Sequence, residues 1–183
     1  MGKLLKVIVY GPPGSGKDTH SQILAKELNL PVFSIGGIMR EAIAQKTEIG
    51  LQIERYVALG EIAPIEISLT LLRERLSVIE YRKGYIACGF KTLEFAQLYL
   101  REDTPTHIVH LVLDDELLRS RLRVRARFDD YDEAIEKRLS IYRNDQVKAC
   151  AFWKDQPSVQ YEEFSTEDSI EEVSQRIKNF IKQ

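Results

Sequence analysis

Residues 4–10, Leu-Leu-Lys-Val-Ile-Val-Tyr, end in four consecutive apolar side chains rather than an alternation. A strand buried on both faces reads this way, as it does inside a parallel sheet. Segments at 31–34, 85–88, 107–113 and 159–164 predict four further strands. Between them the apolar positions recur at helical spacing. Ser21, Leu24, Ala25 and Leu28 fall at i, i+3, i+4 and i+7, so a helix over 18–28 has one inward face. A second helical pattern runs over 49–59 and ends at Gly60, and Pro64 opens a third, striped by Leu69, Leu72, Leu76 and Ile79 and stopped at Gly84. Gly36-Gly37 is expected to break the pattern before a helix carrying Ile38, Met39 and Arg40. Further helices are predicted through Phe95–Tyr99, after Asp114-Asp115 with Leu117, Leu118 and Leu122, and from Ile135, Leu139 and Tyr142 toward Trp153. Ser169 and Glu172 form a capping box for a last helix striped by Ile170, Val173, Ile177 and Phe180. Strands alternating with helices imply an α/β fold: a five-stranded parallel sheet with helices on both faces, in three layers. The length of 183 residues suits one domain over 1–183, without internal repeats.

Composition narrows the setting. A net charge of −2 leaves no electrostatic footprint for nucleic acid. No apolar run approaches the length of a bilayer span, so no membrane partner is expected. Cys88 and Cys150 are too few for a disulfide framework, and no basic-then-apolar segment opens the chain, which points to the reducing cytoplasm. His107 and His110 stand at odd spacing in one strand and face opposite ways, so with His20 they predict no metal cluster.

The chemistry concentrates just after the first strand, in Gly11-Pro12-Pro13-Gly14-Ser15-Gly16-Lys17-Asp18-Thr19. Phosphate oxygens need several N–H donors close together, and only residues without a Cβ let backbone approach so nearly. Gly11, Gly14 and Gly16 supply that freedom, and the start of the following helix adds N–H groups and partial positive charge. Lys17 brings a cation to the outer phosphates. The run fits the pattern G-x-x-x-x-G-K-[ST] through Lys17, then has Asp18 where Ser or Thr is usual and Thr19 one place later. Strand before and helix after identify a nucleotide-phosphate loop, as in the P-loop NTPase type of fold.

Five stretches together resemble a family: 11–19, 34–40, 60–66, 84–96 and 121–142. They are similar to those of nucleoside monophosphate kinases of the adenylate kinase type, and the likeness covers nearly the whole chain. The resemblance implies an acceptor-binding flap over 35–64 and a short lid over 121–131. It implies ATP and a nucleoside monophosphate as ligands, Mg2+ as cofactor, and a monomer. It assigns Arg121, Arg125, Arg127 and Arg138 to the transferring phosphate, together with Lys17, because Arg127-Phe128-Asp129-Asp130 and Lys137-Arg138-Leu139 match the lid-edge pattern. Forked guanidinium groups suit phosphate better than ammonium groups do. Arg121 and Arg125 lie at i, i+4, on one face of any helix that continues so far. The stretch 121–130 is highly charged, has no glycine and is expected to be mobile.

The acceptor side departs from the pattern. Arg40 remains for the acceptor phosphate beside Gly36, but Ile35 lacks the family's hydroxyl and Gly37 its carboxylate. In Cys88-Gly89-Phe90-Lys91-Thr92-Leu93-Glu94-Phe95, Lys91 replaces a phosphate-binding arginine and Phe95 a base-reading glutamine, and a proline is missing. Ala63, Gly89, Arg127 and Arg138 complete the acceptor residues implied. Phe95 reads equally as a base-stacking ring or as a core residue of its helix. Cys88 stands where the family carries the aspartate that orients magnesium. Asp18 takes over part of that role, or merely complements the helix dipole. The reading is transfer of the γ-phosphate of ATP to an AMP-like acceptor. The alternative is an ATP-binding protein of the same fold with another acceptor or with kinase activity lost.

Overall fold

The structure is a computed structural model that describes residues 4–125 and 131–183, apart from the side chains of Ile79 and Arg125. Its centre is β1 (Leu5–Tyr10), hydrogen-bonded in parallel to β3 (Gly84–Cys88) on one side and β4 (His107–Val112) on the other. β2 (Val32–Ser34) and β5 (Gln160–Ser165) form the edges, giving the order β2-β3-β1-β4-β5 with every pair parallel. After β3 the chain passes over β1 to reach β4, so the direction of winding reverses beside β1. In open parallel sheets the crevice at the carboxyl ends of such a reversal is where ligands bind.

Each face of the sheet has its own core, because side chains alternate along β1. Val7 and Val9 face α1 (Lys17–Leu28) and α9 (Ile170–Ile181), meeting Leu24, Val173, Ile177 and Phe180. Ile8 and Tyr10 face the other way. They meet a larger core filled by α2 (Ile35–Ala44), α4 (Ile65–Leu76), α5 (Leu93–Glu102) and α8 (Val147–Lys154). Trp153, fully buried, donates from its indole nitrogen to the Tyr10 hydroxyl at 2.7 Å. That bond matters because a buried indole N–H without a partner costs about 1–3 kcal/mol. The capping box at Ser169 is present with both of its bonds, at 3.2 Å each.

Four local features differ from the pattern read in the sequence. Gly36-Gly37 does not break the chain: α2 starts at Ile35 and runs through both, with the Ser34 hydroxyl accepting from the Gly37 N–H at 2.9 Å. A cap that satisfies the first turn offsets the poor helix propensity of two glycines. The third predicted helix stops at Leu76, and a 3-10 turn over Ile79–Lys83 fills the gap to Gly84, so Ile79 is not part of its stripe. Asp114 alone caps α6 (Asp115–Arg125), accepting from the Glu116 N–H at 2.8 Å. The long helix toward Trp153 is α7 (Asp132–Ile141) and α8 joined by a π-helical turn, Tyr142–Gln146. α3 (Glu48–Ala58) ends as expected near Gly60, whose φ is 68°. Residues 121–125 of the charged stretch expected to be mobile are the last turn of α6, and 126–130 lie outside the described residues.

Candidate active site

The carboxyl end of β1 runs directly into the phosphate loop. Gly11, Gly14 and Gly16 have φ values of 147°, 87° and 85°. These lie in the region that side chains avoid. At Gly11 space is also decisive, since a Cβ there would sit 2.7 Å from the Leu111 carbonyl oxygen of the neighbouring strand. Ser15 is fully buried and turns inward, its hydroxyl donating to the Pro12 carbonyl at 2.8 Å. Pro12 and Ser15 therefore shape the loop from behind. Lys17, first residue of α1, folds back over it: its ammonium donates to the carbonyls of Gly11 and Pro12 at 2.8 and 2.7 Å. His20 anchors the same helix to α9 through Ser174, 2.8 Å away, and burial, with a smaller contribution from Arg121, lowers its pKa.

The loop opens on a cavity of about 500 Å3. Its donor wall holds Gly11, Pro13, Gly14, Gly16, Lys17, Asp18 and Thr19. Arg121 of α6 and Arg138 of α7 close it from the far side, Arg121 also donating to the Thr166 carbonyl at 2.8 Å. Gly36 and Arg40 of α2 and Gly89 and Lys91 after β3 line the remaining wall. Arg127 and the Arg125 side chain lie outside the described residues. Ile35, Ala63 and Phe95 are not on this cavity. They line a smaller one of about 30 Å3, which shares Gly36, Met39, Gly89 and Lys91 with the first. Phe95 is only 4% exposed and packs edge-on to Phe90 with ring centroids 5.0 Å apart, so its ring is also part of the core.

Asp18 and Cys88 meet across this site. The Cys88 thiol, at the carboxyl end of β3, donates to an Asp18 carboxylate oxygen at 3.3 Å. Burial pushes the thiol pKa up to about 12, with the Asp18 charge acting in the same direction. The sulfur is thus held protonated, as a donor, and is not a nucleophile. His107 and His110 do point to opposite faces: His107 stacks edge-on against Phe180, and His110 lies between Tyr142 and Tyr161 at 3.0 and 2.8 Å. Among the described residues, no group of three His, Cys, Asp or Glu is gathered to hold a metal.

A family model described as Adenylate kinase matches residues 9–158. The chain belongs to the adenylate kinase family. It is 33% identical to "Adenylate kinase 1" of Nostoc sp., over 96% of this chain and 97% of that relative. It is 34% identical to the adenylate kinase of Thermobifida fusca, over 97% and 98% respectively, and 35% identical to that of Mycolicibacterium paratuberculosis, over 83% and 87%. Its reaction is the adenylate kinase family's ATP-dependent phosphoryl transfer to a nucleoside monophosphate. Among the described residues, no helix is long and apolar enough to cross a membrane.

Sequence reading missed several residues of this adenylate kinase site. Tyr142 and Gln146 reach it from the π turn, and Thr166 and Asp168 from the loop after β5. A lone glutamine in the polar run 142–146 carries no sequence signal, because a π turn has no signature distinct from an ordinary helix. Gly60 was legible as a helix end and, with Glu61, as part of the family-like stretch 60–66, but not through its contacts. In the structure Gly60 packs on the Ala134 backbone of α7, and Glu61 accepts from Lys137 at 2.5 Å.

Proposed function

We propose that this cavity transfers the γ-phosphoryl group of ATP to an AMP-like nucleoside monophosphate. The observation that carries the reading is one cavity on which the phosphate loop with Lys17 faces Arg40, Lys91, Arg121 and Arg138. An acceptor phosphate oxygen attacks the γ-phosphorus, a P–O bond forms there, and the bond to the β-phosphate's bridging oxygen breaks, leaving ADP. No general base is needed, because a phosphate monoester is largely dianionic near neutral pH (second pKa about 6). Gly11 to Thr19 hold the donor phosphates with backbone N–H groups. Lys17, Arg121, Arg125, Arg127 and Arg138 hold the charge that spreads over the moving oxygens. Arg40 and Lys91, with Gly36 and Gly89, hold the acceptor phosphate. Ile35, Ala63 and Phe95 line the narrow apolar pocket, about 30 Å3 as it stands, that has to widen to seat its base. Residues 35–64 act as the acceptor flap and 121–131 as the lid. The chain acts as a monomer in the cytoplasm; its two thiols, both buried and free, suit that compartment.

Magnesium fits this donor set. When bound, the ion neutralises charge between the β- and γ-phosphates. It typically keeps several waters and takes only one or two carboxylates, so a cluster of protein ligands is not required. Asp18 is the carboxylate to hold it, directly or through water, on the cavity wall beside Lys17. The Cys88 thiol orients that carboxylate, and the acidic group has in effect moved from the end of β3 into the phosphate loop. The test is calorimetric binding of a non-hydrolysable ATP analogue with and without magnesium. Asp18→Asn is expected to reduce the magnesium-dependent gain in affinity by roughly 10-fold or more, as loss of a group that orients metal-bound water does. An unchanged gain would assign Asp18 to the helix dipole alone.

A further inference from the structure

The π turn after α7 places one buried amide between the two halves of the site. Gln146, 5% exposed, accepts from the Gly11 N–H through Oε1 at 3.3 Å and donates through Nε2 to the Phe90 carbonyl at 2.6 Å. Gly11 begins the phosphate loop. Phe90 lies between Gly89 and Lys91, the turn that presents the acceptor-side cation. A single planar group thus spans the donor-phosphate loop and the acceptor-phosphate turn.

The backbone is bent to allow this. The Val147 N–H bonds to the Tyr142 carbonyl, five residues back, so the turn is wider than an α-helical one. π turns inside α-helices occur often at functional sites. Here the turn's first residue is tied as well: the Tyr142 hydroxyl meets His110 Nε2 at 3.0 Å, next to Tyr10 in the sheet register. Both ends of the turn are therefore fastened around the carboxyl end of β1. If Gln146 only filled the core, an apolar side chain of similar length would serve. Its amide instead satisfies one N–H and one C=O on two different site loops.

We propose that Gln146 is a positioning residue for phosphoryl transfer, its amide setting the distance between the phosphate loop and the acceptor-side turn. In-line transfer is sensitive to that distance, since misplacement by about 1 Å costs on the order of 100-fold in rate. Gln146 acts through Gly11 and Phe90 and need not touch the reacting atoms.

The test compares wild type with Gln146→Met and Gln146→Asn, using ATP, magnesium and AMP. Methionine keeps the length and loses both bonds. Asparagine keeps the amide on a chain one carbon shorter and does not reach both partners. Both variants are expected to lower kcat, Gln146→Met by about 10- to 100-fold, with KM for ATP and for AMP little changed. Thermal melting gives the folded fraction, and a loss of kcat no larger than the loss of folded protein would overturn the proposal. So would wild-type kcat in Gln146→Asn. Should Gln146→Met not fold, a second measurement on the wild type decides with Gln146→Asn. In 15N-resolved NMR spectra, adding AMP alone is expected to shift the Gly11 backbone amide and the Gln146 side-chain amide. Silence of both resonances would overturn the assignment.

Discussion

The two sides of the cavity are built from different materials. On the donor side the contacts are backbone and charge: a loop with three glycines at positive φ, a lysine folded over it, and arginines from α6 and α7. On the acceptor side Arg40 and Lys91 supply charge, but the smaller cavity beyond them is lined by Ile35, Met39, Ile62, Ala63, Ile65 and Phe95. Its two hydroxyls each hold one hydrogen bond. Thr92 accepts from the Phe95 N–H at 3.1 Å as the cap of α5, and Ser68 donates to the Pro64 carbonyl at 3.4 Å. Under the proposed function, the donor side reads phosphate through fixed donors, while the acceptor side reads its base mainly through shape. Phosphate recognition tolerates little change, because each donor is aimed. An apolar seat discriminates weakly and tolerates more.

Substitutions on the two sides should therefore differ in size. The largest effect is expected at Lys17. Lys17→Met removes a cation from the transferring phosphate, and kcat should fall by about 100- to 1000-fold, the range for loss of one preorganised donor. Steady-state kinetics with the folded variant would show it, and a loss of less than tenfold would put the transition-state charge elsewhere. On the acceptor side, Lys91→Arg should act gently and in the opposite direction. A forked guanidinium binds phosphate in two-point fashion where an ammonium does not, so KM for AMP should fall a few-fold with kcat preserved. A rise in KM would mean that the turn after Phe90 has no room for the longer group.

The smallest effect is on stability, and it depends on pH. His20 lines the donor side and His110 lies in β4 between Tyr142 and Tyr161, and burial lowers the pKa of each below the ordinary 6.5. For His110 the Glu163 carboxylate opposes that shift, and Lys17 adds to it. A histidine whose folded pKa lies below its unfolded one stabilises the fold above about pH 6.5. That contribution is lost as the pH falls from there through the lowered value, because the unfolded chain takes up the protons first. The melting temperature should therefore drop between pH 7.5 and 5.5. A flat profile would contradict the burial of these rings.

The same contrast explains what was legible in the sequence. Apolar runs and 3.6-residue spacing give the central strands and most helices, because burial on both faces of a parallel sheet leaves no freedom in those positions. The phosphate loop is legible because its glycines and lysine are adjacent in the chain. Gly36-Gly37 misleads, since a Ser34 cap four residues away from Ile38 decides the helix start, not the glycines themselves. The contact between Asp18 and Cys88 joins residues 70 apart, and Gln146 meets Gly11 across 135. Each of those residues looks ordinary where it stands. Their meaning lies in which strand ends the sheet order brings together.

The most direct measurement is an acceptor screen. ATP and magnesium are supplied with AMP, dAMP, CMP, UMP or GMP in turn, and formation of each diphosphate is followed. A seat that reads shape predicts AMP as the best acceptor, with CMP and UMP turned over at kcat/KM values within about 200-fold of it. Discrimination of about 10^4 or more against every other base would contradict the account, because it requires hydrogen bonds to the base edge. Turnover with none of the five, beside tight ATP binding, would contradict it more deeply and leave a nucleotide-binding protein with a different acceptor.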